Sequence, residues 1–456
     1  MPPMSIEDGR EPIRHTALQP GPIARDLARI DGLVTLQRIL AARLFVAPAA
    51  ARILRFMKPT FMALAILMAA ASLDAQQPAP PAPANDQIRT LVSRLDLEKY
   101  KATIRGLTAF GDRRQGTTRN RKAVDWIEAQ LKSYGCANVE RITYEYKAPP
   151  PRTGGQQQQR PANPDAIPTA QGGGRPRGVR ARTGVNNDPM KQPDETLRAL
   201  NSEPAVDGER QEVYCTKVGA TRPDEMYIIG AHMDGHGWGE AANDNGSGTA
   251  LVMELARVFN SPDVVTNHSI RFALWNNEET GLNGARAYVE QRAALQGQEN
   301  PPGSGRYPEP RWLGMIQHDM MMFDHGMPRA DGTLSPEQRP EADVNIEFQL
   351  TSKFVAGAKE LAWALHAANE KYATDYPANV GPHMTNTDST AFMDLVPSVS
   401  LRENERGIHT GNGWNPHWHQ PTDVFATYSD KDFRLGLNAA QTTLAAVAQL
   451  TNARLK

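Results

Sequence analysis

The sequence predicts an α/β domain, one β-sheet covered by helices on both faces. Two observations predict it. Short apolar runs at Met226 to Ala231, Ile270 to Trp275, Gly314 to Gln317 and Val396 to Leu401 have the length of buried strands, and stretches of helical periodicity lie between them. In addition, the side chains best suited to chemistry stand just after these runs: His232 and Asp234 after the first, Glu278 and Glu279 after the second, Asp319 after the third. Sites in open α/β sheets form outside the carboxyl ends of the strands.

The first 85 residues are expected to lie outside the domain. Residues 57–75 read MKPTFMALAILMAAASLDA, with Lys58 ahead of an apolar run from Phe61 to Leu73 and Ala75 before a polar stretch, which is the layout of a signal peptide. At 1.5 Å per residue the run makes about 20 Å of helix, short of a roughly 30 Å hydrocarbon core, so no stable membrane span is expected in the mature chain. Residues 1–56 then read as an extension ahead of the true start, or as disordered, and export to the periplasm or beyond follows. An uncleaved anchor and a short core helix are the other readings of the apolar run. Residues 76–85 form a Pro/Ala linker, leaving 86–456 for the domain.

Within it, Ala123, Trp126, Ile127, Leu131 and Tyr134 follow helical spacing, and Gly135 stands where a helix commonly ends. Val139 to Tyr146 alternates as a strand. From about 147 to 210 the chain turns to low complexity, with three consecutive Pro, four Gln and three Gly, and reads as a disordered basic insertion. Helices are expected at Thr249 to Phe259, Gly284 to Leu295, Lys353 to Tyr372 and Asp432 to Leu450. Without the leader and the insertion about 307 residues remain, enough for one large domain.

Composition excludes several function classes. With 50 Lys plus Arg against 51 Asp plus Glu there is no global basic field, and no nucleic-acid partner is expected. Cys136 and Cys215 are the only cysteines, too few for a disulfide scaffold or a cysteine-ligated zinc module. Export would permit one bridge between them; if their strands pair, it would close a loop of about 80 residues and contribute about 4 kcal/mol. Two buried free thiols are the alternative.

The chemistry-bearing residues are imidazoles and carboxylates: His232-Met-Asp234, Asp244-Asn-Gly-Ser-Gly248, Asn277-Glu278-Glu279-Thr-Gly281, Asp319 and His419. Such donors suit Zn2+, with Co2+ or Mn2+ as alternatives, at a catalytic site with an open position. Charge favours two ions. Asp244, Glu279 and Asp319 with neutral His232 and His419 supply three negative charges against four positive, and one hydroxide would complete the balance. Adjacent Glu278 and Glu279 need different roles, one as ligand and the other as free base.

These residues resemble the co-catalytic zinc peptidases of metallopeptidase family 28. The motifs RQGT (114–117), IIGAHMD, NDNGSG, LWNNEETG, IQHDM and HQPTD occur in that family's order and approximate spacing. The resemblance implies a single zinc-peptidase domain with a mixed, mostly parallel sheet between helices. It implies that His232 and Asp319 hold one Zn2+, Glu279 and His419 the other, and that Asp244 bridges, with a cis bond after it. Asp234 would accept a hydrogen bond from the His232 ring, and Glu278 would be the general base acting on a bridging hydroxide. The activity implied is that of an exopeptidase on peptide substrates, an aminopeptidase first; a carboxypeptidase or dipeptidase is the alternative, and a non-catalytic binding module a more distant one. No oligomeric state is implied.

Some positions depart from the family pattern. Trp418 stands where a tyrosine could support the oxyanion, which leaves that donor unassigned. His417 lies two residues before His419, and either ring could ligate; Pro421 and Asp423 favour His419. Asp388 reads either as a residue of the cleft or as an acid at a helix start. His236, His318, His325, His383 and His409 are given no role.

Overall fold

The computed structural model describes residues 86–149, 185–323, 344–382, 386–403 and 415–456. The expectations for residues 1–85, signal peptide and linker included, lie outside these residues.

Three helices open the domain, each started by a side-chain oxygen that accepts from an otherwise unpaired backbone N–H. They are α1 (Gln87–Val92) capped by Asp86, α2 (Leu97–Thr108) capped by Asp96 and α3 (Thr118–Ser133) capped by Thr117. Gly135 ends α3 with φ 86°, a left-handed conformation that costs glycine little. The next element is β1 (Val139–Tyr146), with the bounds that its alternation predicts.

The reading of 147–210 as one structureless insertion extends too far. Residues 150–184 lie outside the described ones, but Asp194 caps α4 (Glu195–Asn201) and β2 (Gly208–Lys217) begins inside the interval. Composition masks these elements because the buried positions of so short a helix, Leu197 and Asn201, are too few to show a period.

The remaining elements are β3 (Arg222–His232), α5 (Gly246–Phe259), β4 (Val264–Val265), β5 (His268–Trp275), α6 (Asn283–Arg292), β6 (Arg311–His318), β7 (Val344–Phe348), α7 (Val355–Tyr372), β8 (Ala378–Pro382), α8 (Ser389–Phe392), β9 (Ser398–Arg402), α9 (Asp430–Leu450) and β10 (Arg454–Leu455). Eight strands form one mixed sheet in the order β1-β2-β5-β3-β6-β9-β7-β8. The central ladders β5/β3, β3/β6 and β6/β9 are parallel, as is β7/β8, whereas β1/β2, β2/β5 and β9/β7 are antiparallel. The short β4/β10 ladder ties the last residues to the segment after α5.

Alternation along the strands sorts side chains between two cores, one on each face. Ile229, Ala231, Phe272, Leu274 and Ile316 join the larger core with residues of α2, α3, α5, α7 and α9. Met226, Ile228, Ala273, Trp275 and Met315 point the other way, against Ala285, Tyr288 and Phe392 of α6 and α8. Both faces of the sheet are therefore covered. Cys136 and Cys215 form a disulfide with Cα atoms 6.0 Å apart, because β1 and β2 pair with Val139 opposite Cys215. Among the described residues no helix is long and apolar enough to cross a membrane.

Candidate metal centre

Three parallel strands end at one edge of the sheet and aim their next residues at one place. β3 ends with His232, with Asp234 two residues on; Glu278 and Glu279 follow β5; Asp319 follows β6. Asp244 lies just before α5, whose N-cap is Asn245, and His419 comes from the loop ahead of the Phe425–Thr427 turn.

These side chains meet. His232 Nε2 is 3.4 Å from Asp244 Oδ1 and 3.5 Å from Asp319 Oδ1. His419 Nε2 is 2.9 Å from Asp244 Oδ2 and 2.8 Å from Glu279 Oε2. The two oxygens of Asp244 thus face two different imidazoles, His232 and His419. The Asp244–Asn245 bond is cis. His417 instead turns its Nδ1 to Thr422 Oγ1 at 2.8 Å.

The donor set fits divalent cations. His232, Asp244 and Glu279 offer ligand atoms all within 4.8 Å of one another, as do His232, Glu278 and Asp319. Glu279 Oε1 is buried with no hydrogen-bond partner among the described residues, a costly state that a ligand would relieve. Burial works against a charged His232 or His419, yet nearby carboxylates, Glu278 foremost for His232 and Glu279 for His419, raise both imidazoles, His419 to about 10. Burial likewise opposes ionisation of Asp244 and Glu279, and the neighbouring imidazoles hold both below the usual range. The carboxylates thus favour positive charge at both rings, which metal ions would supply to neutral imidazoles.

A supporting shell holds the acids. Arg402, at the end of β9, brings Nη2 to 2.8 Å from Asp319 Oδ2 and Nε to 3.5 Å from Glu347 Oε2. Asp423 accepts from the N–H groups of Asn243 at 2.9 Å and Asp244 at 3.0 Å and from the Tyr428 hydroxyl at 2.9 Å, while burial pushes its carboxyl up to about 7. Arg113 is fully buried and donates to the carbonyls of Met233, Glu240 and Ala241, which ties the start of the loop between β3 and α5 to its middle.

Two expectations need correction. The carboxylate of Asp234 does not take the His232 proton: the ring Nδ1 lies 3.1 Å from the main-chain oxygen of Asp234 and 3.8 Å from its Oδ1. That Oδ1 accepts from the buried N–H of Glu278 at 3.0 Å, a donor that would otherwise need another partner. The other correction is His236, given no role from sequence; its Nε2 lies 3.0 Å from Glu279 Oε2 and 3.0 Å from His419 Nδ1. Its position between Gly235 and Gly237, four residues after His232, was the available signal. Arg402 was missed although it too ends an apolar strand. Asp388 caps α8 by position but makes no capping bond; it accepts from Gln317 Nε2 at 2.9 Å, and burial raises it to about 8.

The family model described as Peptidase family M28 matches residues 213–443, just over half of the chain. The chain belongs to this family. Among curated relatives, the probable lipoprotein aminopeptidase LpqL of Mycobacterium tuberculosis is 46% identical over 76 residues, 16% of this chain and 14% of that protein. The mouse aminopeptidase NAALADL1 is 31% identical over 234 residues, 49% of this chain and 28% of that one. The matched region is thus a small part of these relatives' own length. BSAP, a zinc aminopeptidase from Bacillus subtilis, has the same fold, with a TM-score of 0.53 at 17% identity over 78% of this chain and 95% of that one.

Proposed function

We propose that this M28 peptidase is an exported aminopeptidase that uses two Zn2+ ions to remove N-terminal residues from peptides. The observation that carries the reading is Asp244, whose Oδ1 faces His232 and whose Oδ2 faces His419, with Asp319 beside the first ring and Glu279 beside the second. In this reading His232 and Asp319 would hold one ion, Glu279 and His419 would hold the second, and Asp244 would be shared by both. Bound zinc would polarise the scissile carbonyl and acidify water.

The remaining work falls to the chain's own groups. Glu278 takes the proton of the attacking water and hands it to the leaving amine. Burial raises its carboxyl well above the usual range, which suits a group that must hold a proton between two steps. Asp234 fixes the Glu278 main chain through its hydrogen bond and so orients the base. The relatives LpqL, NAALADL1 and BSAP are all named as aminopeptidases, which favours that branch. Export is supported by the layout at 57–75 and by the Cys136–Cys215 bridge, since such bonds persist in oxidising compartments. The domain is taken as 86–456, after the leader and the 76–85 linker.

A mass-spectrometric time course on peptides with free and blocked ends, with and without chelator, tests this. Chelator-sensitive loss of N-terminal residues from free peptides alone is expected. Trimming of N-blocked peptides would instead establish the carboxypeptidase branch, and chelator-resistant cleavage would overturn the metal reading.

A further inference from the structure

The Glu279–His419 side of the centre contains one imidazole more than the other side. Asp234-Gly235-His236-Gly237 leaves the end of β3 and folds back over His419; the main chain of Gly237, at φ 100°, packs so closely on that of His419 that a Cβ there would collide with it. Asn186 reinforces the contact, donating its main-chain N–H to the His419 carbonyl at 3.0 Å and its side-chain amide to the Gly237 carbonyl at 3.4 Å. The result is that His236 stands edge-on to His419, ring centroids 4.0 Å apart, while Trp418 stacks on the His419 ring at 3.9 Å. His236, Glu279 and His419 offer ligand atoms within 4.8 Å of one another.

The opposite side is restricted. Asp319 Oδ2 is engaged by Arg402 Nη2 at 2.8 Å, which leaves Oδ1 as its oxygen toward His232.

We propose that His236 Nε2 is a direct donor to the ion held by Glu279 and His419. The inference rests on the metallopeptidase reading above. That position is then closed by four protein donors, His236, Glu279, His419 and Asp244 Oδ2. With Glu278 kept as the base, the His232 position would have three, His232, Asp319 Oδ1 and Asp244 Oδ1, and an open place. Zinc sites closed by four protein ligands are of the structural kind, and those with three and an open position are of the catalytic kind. The His236, Glu279 and His419 side would therefore hold its ion more tightly and fix Asp244, and the His232 side would be the one left accessible to substrate. Because His236 is neutral as a ligand, it adds a donor without altering the charge balance.

The test is zinc binding to the metal-free full chain. Competition with a chromophoric chelator is expected to resolve two affinities, and X-ray absorption at one equivalent of Zn2+ to count two imidazoles. His236→Ala should weaken the tighter site at least about 100-fold, beyond the 10- to 100-fold typical of losing a supporting partner, and should show one imidazole. His236→Gln, which keeps an N–H for Glu279, should not rescue the affinity, and circular dichroism and thermal melting of each variant report folding. One imidazole in the unaltered protein, or rescue by glutamine, overturns the proposal and leaves the metallopeptidase reading intact. A chain that binds no zinc overturns both.

Discussion

Replacing Glu278 by Gln separates the two roles open to that residue. The side chain is buried, its main-chain N–H is held by Asp234 Oδ1 at 3.0 Å, and its carbonyl accepts from Gly281 and Leu282, both at 2.8 Å. The backbone frame is therefore set independently of the carboxylate, and glutamine of nearly equal volume fits without a cavity. The substitution removes the proton acceptor. Loss of a general base costs about 10²- to 10⁴-fold in rate, which at about 1.36 kcal/mol per decade is roughly 3–5 kcal/mol of barrier. It should appear in kcat rather than KM, because proton transfer belongs to the transition state.

The assay pairs steady-state kinetics on an aminoacyl p-nitroanilide with metal analysis of the same sample. Two ions per chain with kcat reduced at least 100-fold is the expected result. Activity within tenfold of the unaltered enzyme would refute the base assignment. Loss of an ion would refute it differently, making Glu278 a ligand beside His232 and Asp319, which lie within reach.

Other outcomes are expected from the same structure. Asp244→Asn should lose both ions, since its two oxygens face both donor sets; a variant that retains two would remove the bridge. Replacing Cys136 and Cys215 together by alanine should lower stability by about 4 kcal/mol for a bridge spanning 79 residues, and an unchanged urea midpoint would show that the bridge does not restrain the unfolded chain. Glu212→Gln should stabilise the protein above pH 4.5 and not below it. Burial raises the Glu212 carboxyl well above the usual range, so the folded state holds a proton that the unfolded state releases as pH rises past about 4.5, and stability falls through the folded-state pKa. Equal urea midpoints of variant and parent at pH 7.5 would contradict this.

Much of the fold was legible because apolar runs such as IIGA and RFALW alternate with helical periodicity, and both signals are local. The strands β7 and β8 were not, since VNIEF and ANVGP are short and carry no long apolar run. The first two helices and α4 were missed for a similar reason: caps such as Asp86, Asp96 and Asp194 are single residues, and an aspartate acts as a cap only where the next turn of chain is helical.

The same distinction holds for the candidate centre. By itself the sequence determined which donor types stand at the strand ends, since an apolar strand that stops at His232 or just before Asp319 must expose them at the sheet edge, and the motif order carried the family. Tertiary structure decided the partners. Arg402 reaches Asp319 because β9 lies parallel to β6 with Leu401 opposite His318. His236 reaches Glu279 because Gly237 lets its loop lie on the main chain of His419, 182 positions along the chain. Asp234 Oδ1 meets the N–H of Glu278 rather than the His232 ring, whose Nδ1 lies nearer the main-chain oxygen of Asp234. Such choices depend on distances between segments far apart in the chain, and residue type and local spacing contain no record of them.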